Sequence, residues 1–272
     1  MEYRSNGQLG VEVRGIDLKE TLPDNILEKI KKDVHEHKLL IFKNQGVITP
    51  ERHLEISRWF GELDSKHKKH KRSPHPDILR VSNDSTEGWT GFSRTGFHID
   101  GSFIEKPFRL CIFYMVSIPR EGSTAFISLN GLLNQLTPEK RELWNSLHGI
   151  FRQYGYENIH PLVYPHPVTR QPTMCFNLGN MEEFIFDLGG KDERFLKNDE
   201  TEDTLKDIDR EIKQSKDLIY RHKWEEGDLI ICDNRAVGHA ATPETQYPVS
   251  QIGLRILHRT TIKGVNTPSK QI

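Results

Sequence analysis

Leu9 to Leu18 alternates apolar and polar residues, the period of a strand with one buried face, and it closes in turn and cap signals. Beyond Pro23, the apolar positions Ile26, Leu27, Ile30 and Val34 recur at helical spacing, which predicts a helix with Asp24 as its N-cap. Leu39 to Phe42 is a wholly apolar run and reads as a buried strand. Thr49-Pro50-Glu51 then caps a second helix that carries Leu54, Ile56, Trp59 and Phe60 to Gly61. Strands follow at Ile78–Ser82, Leu110–Val116 and Gly122–Ile127, with a mobile loop expected from Ser85 to Thr95 around Trp89 and Phe92. Thr137-Pro138-Glu139 caps a third helix towards Leu147, and Thr173–Phe176 returns to strand character. Asn198 to Lys216 places Leu205, Ile208 and Ile212 at helical spacing, an amphipathic surface helix. Leu229–Asn234 is a buried strand after the turn Glu225 to Asp228. Leu254–Ile262 is the last strand, with Arg255, Leu257 and Arg259 on one face.

Strands dominate the core and helices gather at the front and in inserts. The pattern predicts a mainly β fold with flanking helices, a double-stranded β-helix of the jelly-roll, cupin-like kind. It lacks the strand-helix alternation of a parallel α/β sheet. The 272 residues fit a single domain over 1–272, with a lid or substrate loop at about 64–95 and a helical insert at about 180–218.

Charge narrows the partners. Lys and Arg number 38 against 39 Asp and Glu, so no global field draws the chain to nucleic acid or an anionic membrane. A small molecule is the expected partner, and a homo-oligomer is left open. Cys111, Cys175 and Cys232 have no paired spacing, which favours buried small hydrophobes in a reducing compartment over a disulfide framework. With no apolar run of membrane-spanning length and a polar N-terminus, the cytoplasm is the expected location. The basic run from Lys66 to Arg72 reads either as a solvated loop or as a lid that supplies cations to an acidic substrate.

The chemistry is carried by Gly96-Phe97-His98-Ile99-Asp100-Gly101-Ser102. On a strand, His98 and Asp100 leave the same face and can converge on one ion. His239, in Asp233-Asn234-Arg235-Ala236-Val237-Gly238-His239, is the candidate third ligand. Two His and one carboxylate with the other positions open describe a non-haem Fe(II) site. The same three residues could hold zinc with a water in the open position, the site of a hydrolase.

The sequence resembles the taurine/2,4-D-type (TauD/TfdA) dioxygenases, which use Fe(II), 2-oxoglutarate and O2. The likeness runs through Val13–Leu18, Leu40–Gln45, Ile48-Thr49-Pro50, Phe60–Leu63, His98-x-Asp100-x-Ser102-Phe103, Gly227-Asp228-Leu229, Asp233 to His239 and Arg255 to Gly264. The resemblance implies His98, Asp100 and His239 as catalytic iron ligands. It also implies Arg255 and Thr124 as the anchors of the distal carboxylate of 2-oxoglutarate, and Arg259 as a substrate-binding arginine. Solvent-facing strand arginines and a plain strand threonine are the alternatives. The family's taurine enzyme has an asparagine four residues before the first ligand, where this chain has Arg94, and Lys66 opens the basic run in the substrate loop. Together these imply a small anionic substrate, a carboxylate-bearing amino-acid derivative. The implied reaction oxidises an unactivated C–H bond by hydroxylation, desaturation or oxidative cyclisation, with succinate and CO2 released. No halide is expected, because Asp100 fills the position that halide would need. A non-catalytic jelly-roll module binding metal or 2-oxoglutarate is, with the zinc hydrolase, the alternative to the oxygenase.

Overall fold

The computed structural model describes residues 1–91 and 96–270. In chain order the strands are β1 (Glu2–Ser5), β2 (Val11–Arg14), β3 (Leu39–Phe42), β4 (Leu79–Ser82), β5 (Leu110–Ser117), β6 (Thr124–Ser128), β7 (Leu147–Gln153) and β8 (Tyr156–Pro161). They continue with β9 (Val163–Pro165), β10 (Pro172–Met174), β11 (Met181–Phe186), β12 (Arg194–Phe195), β13 (Ile219–His222), β14 (Leu229–Asp233), β15 (Val237–Ala241) and β16 (Ile256–Thr261). The helices are α1 (Asp24–His37), α2 (Pro50–Arg58), α3 (Leu129–Gln135), α4 (Pro138–Ser146), α5 (Asn198–Gln214) and α6 (Val249–Ile252).

A seven-stranded sheet in the order β1-β2-β3-β14-β5-β16-β4 faces a three-stranded sheet, β13-β6-β15. From β13 onward the chain crosses between them at every strand, and this alternation makes the double-stranded β-helix. Strand periodicity divides the apolar residues between two cores. Leu39, Ile41, Phe113, Ile230 and Cys232 turn inward and meet Phe126 and Val237. Leu40, Phe42, Ile112, Leu229 and Ile231 turn outward under Ile30, Val34 and Ile56 of α1 and α2. Continuous apolar runs such as Leu39–Phe42 follow from burial on both faces.

A further sheet, β12-β11-β7-β8, packs beside the three-stranded one over a third core that includes Trp144, Leu147, Phe176, Phe184, Ile208 and Ile212. Here the expected helical insert at about 180–218 needs correction. Its first part is strand, because β7 offers an edge that Met181–Phe186 completes, and only Asn198–Gln214 is helix. Pro23, rather than Asp24, is the N-cap of α1, and Asp24 lies in the first turn without a capping bond. Thr49 and Thr137 do cap α2 and α4 through their side chains. The last strand begins at Ile256, so Arg255 precedes it, with its N–H held by Asn83 Oδ1 at 2.9 Å. Cys111, Cys175 and Cys232 are buried and free. Among the described residues no helix is long and apolar enough to cross a membrane.

Candidate metal and cosubstrate site

His239 sits in β15, and the chain before β5 runs antiparallel to it as a single bridge. The His98 N–H donates to the His239 carbonyl at 3.1 Å, and the His239 N–H donates to the His98 carbonyl at 2.9 Å. The two rings consequently lie with centroids 4.5 Å apart. His98 Nδ1 lies 2.9 Å from the Gly96 carbonyl, which fixes Nδ1 as the donor and leaves the Nε2 lone pair facing the cluster. Asn234 clamps Asp100 on both sides of its backbone. Its Oδ1 accepts from the Asp100 N–H at 2.8 Å, and its Nδ2 donates to the Asp100 carbonyl at 2.9 Å. His239 Nε2 is 3.4 Å from Asp100 Oδ2, and His98 Nε2 is 3.8 Å from Oδ1. One ligand atom from each of the three residues falls within 4.8 Å of the others.

Burial opposes charge on Asp100, yet Arg259, His239 and His98 outweigh it and hold the carboxyl well below its ordinary range. Burial, then the neighbouring His239, lowers His98 to about 4. A carboxylate beside a neutral imidazole at neutral pH is the protonation state a divalent cation requires. His239 Nδ1 is buried without a partner among the described residues. The donor set fits a non-haem Fe(II) site with open positions.

A small cavity on the inner face of the barrel joins this cluster to Thr124 and Arg255, walled by Val81, Phe113 and Leu257. Arg255 is 2% exposed, and its Nη1 has no partner among the described residues. Burial lowers the guanidinium to about 10, with no carboxylate working against it. An unpaired buried cation costs several kcal/mol, a cost that an anion entering from outside would offset. Thr124, also buried, lines the same cavity. These residues suit the distal carboxylate of a dicarboxylic oxoacid.

The other side of the cluster opens into a cavity bordered by Lys66, His67, Phe103, Tyr154, Asn177 and Arg259. Arg259 does reach this space, but its Nη1 is bonded to Asp100 Oδ1 at 2.6 Å. Lys66 Nζ is paired with Asp64 at 2.9 Å. Each of these two expected substrate-binding cations already holds a carboxylate. Arg94 and Phe92 lie outside the described residues. Lys68, Lys69, Lys71 and Arg72 are exposed, so most of the basic run is solvated. Its backbone is tied to the following turn, where the Trp89 indole donates to the Lys68 carbonyl at 2.8 Å. Sequence reasoning missed His67, Asn177 and Tyr154. Burial, then Arg259, lowers His67 to about 4, so it faces the cavity as a neutral ring. Asn177 follows directly on the expected strand ending at Phe176 and bridges to His98, a signal that lay in the Asn177-Leu178-Gly179-Asn180 turn.

His35, His166 and Asp233 form a second close cluster. His166 Nδ1 accepts from the Val168 and Thr169 N–H groups at 3.2 and 3.1 Å, which leaves its Nε2–H to donate to Asp233 at 3.2 Å. That tautomer has no free lone pair for a metal, so the cluster is a hydrogen-bonded clasp between α1, the β9–β10 hairpin and β14.

Comparison with known proteins agrees with this geometry. A family model described as taurine catabolism dioxygenase TauD, TfdA family matches residues 3–261. An alpha-ketoglutarate-dependent sulfonate dioxygenase of Saccharomyces cerevisiae is 27% identical over 92% of this chain, which spans 64% of that protein. An alkylsulfatase of Acinetobacter baylyi is 25% identical over 95% of this chain and 83% of its own length. The crystal structure of a taurine dioxygenase from Burkholderia xenovorans superposes with a TM-score of 0.79 at 24% identity, covering 98% of this chain and 92% of that one, a likeness of fold.

Proposed function

Because the chain belongs to the taurine catabolism dioxygenase TauD, TfdA family, we propose that it is an Fe(II)- and 2-oxoglutarate-dependent oxygenase acting on a small organic anion. The observation that carries the reading is Arg255, buried beside Thr124 and the His98-Asp100-His239 cluster with no carboxylate of its own among the described residues. Neither a zinc hydrolase nor a bare metal sensor gives that cation a task.

When bound, iron and the oxoacid supply the oxidising power that couples O2 and loss of CO2 to attack on a C–H bond. The protein's part is placement and exclusion of water. His98, Asp100 and His239 hold the metal, while Arg255 and Thr124 hold the distal carboxylate. The opposite cavity takes the substrate between Phe103, Tyr154, Asn177 and Arg259. Asp100, if it held a divalent cation, would bind Arg259 less tightly, and the guanidinium would then be free to receive an anionic substrate. Lys66 and His67 border that cavity at its rim.

The substrate we favour is a carboxylate-bearing amino-acid derivative, oxidised by hydroxylation, desaturation or ring closure. A sulfonate or sulfate ester is the second reading, raised by what the yeast and Acinetobacter relatives are named for. The test is succinate release from 2-oxoglutarate in air with added Fe(II), with and without a panel of carboxylates, their methyl esters, sulfonates and sulfate esters. Succinate that requires iron and is stimulated by one anion class supports the proposal and names the class. No iron-dependent succinate with any member, or equal stimulation by acid and ester, overturns it.

A further inference from the structure

We propose that Trp224 is a positioning residue for the cosubstrate, fixing the Thr124 hydroxyl as a hydrogen-bond donor into the Arg255 cavity. This deepens the 2-oxoglutarate reading and rests on it. The Trp224 indole nitrogen lies 3.0 Å from Thr124 Oγ1, both groups being buried. An indole N–H can only donate, so it occupies a lone pair of the hydroxyl. The hydroxyl proton is then left for another acceptor. Thr124 borders the cavity that Arg255 also lines, and Arg255 Nη1 has no partner among the described residues. An acceptor-only carboxylate satisfies both groups at once.

The indole is itself held in place from behind. His222 is the register partner of Thr124 across β13 and β6, and Trp224, two residues further on, reaches the threonine hydroxyl. The His222 ring stands edge-on to Trp224, centroids 4.6 Å apart at 86°. Asp228, fully buried, accepts from His222 Nε2 at 2.9 Å, from Lys43 Nζ at 2.8 Å and from the Glu225 N–H at 2.9 Å. Tyr220 Oη completes the far side of His222 at 2.9 Å from Nδ1. The turn between β13 and β14 thus serves as a rigid bracket whose output is the direction of one hydroxyl. Trp224 does not border the cavity, so it acts through Thr124.

The experiment is calorimetric titration of the Zn(II)-loaded full chain with 2-oxoglutarate and with 2-oxopentanoate, which lacks the distal carboxylate. We expect Trp224→Phe and Thr124→Val each to weaken 2-oxoglutarate binding about five- to tenfold, the scale of one hydrogen bond. The double variant should bind no worse than the weaker single one, Thr124→Ser should bind like wild type, and 2-oxopentanoate should bind all of them alike. An indole 15N–1H spectrum reads the same contact without removing Trp224: 2-oxoglutarate should shift that signal in wild type and not in Thr124→Val. The inference is overturned if Trp224→Phe binds 2-oxoglutarate normally, if it weakens both oxoacids equally, if the two substitutions multiply, or if the indole signal responds identically in both proteins. Failure of the cosubstrate reading looks different, since wild type would then not bind 2-oxoglutarate or Arg255→Met would bind it unchanged.

Discussion

The two ends of the site hold their arginines in opposite ways. Arg255 is enclosed among Val81, Phe113 and Leu257 with no carboxylate partner, whereas Arg259, within β16, is bonded to Asp100 at 2.6 Å. An unpartnered cation keeps its full demand for an anion, while a paired one must give up a bond to take another. The first end is therefore suited to one obligatory ligand. The second is suited to a ligand that competes, so its selectivity depends on what else occupies the cluster.

The largest effect should come from the cluster that the two ends share. His98→Ala, Asp100→Ala or His239→Ala should each lower iron-dependent succinate formation at least about a thousandfold, since losing one of three ligands spoils affinity and geometry together. Full activity in any of them removes that residue from the site. The comparison itself is tested next. Arg255→Met should raise the 2-oxoglutarate KM about a hundredfold and Arg259→Met the substrate KM by only about tenfold, because the second arginine shares its charge between Asp100 and the substrate. A reversed ranking in initial-rate assays would break the contrast.

Acid should loosen the strand that carries both ends. His53, fully buried behind Thr260, is lowered to about 4 by burial, and His258 to about 3. Their folded values lie below the unfolded value near 6.5, so the unfolded chain takes the protons first as pH falls. Stability is intact above about pH 6.5 and declines towards pH 4, by roughly 3 kcal/mol for His53 alone. Thermal melts across that range should show the slope, and His53→Gln should flatten it. The smallest effect is expected at Lys66, whose charge Asp64 already offsets at the half-exposed rim. Lys66→Met should change substrate KM no more than about threefold, and a tenfold change would show the basic loop to be a true contact.

Much of this was readable from the sequence. The strand runs at Leu39, Leu110 and Leu229 carry burial on both faces in their composition, and the residue types of His98-x-Asp100 and His239 mark the cluster that the fold brings together. Pairing was not legible. Whether Arg259 or Arg255 is the unpartnered arginine depends on where Asp100 points after folding, and one residue type in one strand pattern carries no sign of it. The first half of the 180–218 stretch was missed for a related reason. Met181–Phe186 is strand because β7 has an edge to offer, a tertiary opportunity that local periodicity does not contain. Trp224 carried no signal in the sequence, since its contact with Thr124 joins residues 100 positions apart.

The backbone bridge between His98 and His239 also gives the site a clock. Each amide proton is held by the other residue's carbonyl, so neither is freed until the bridge opens and then both are. Hydrogen exchange at the two positions should therefore run at one shared rate. How long the imidazole pair stays ready for a cation is set by that opening of the sheet and hardly at all by rotation of the side chains.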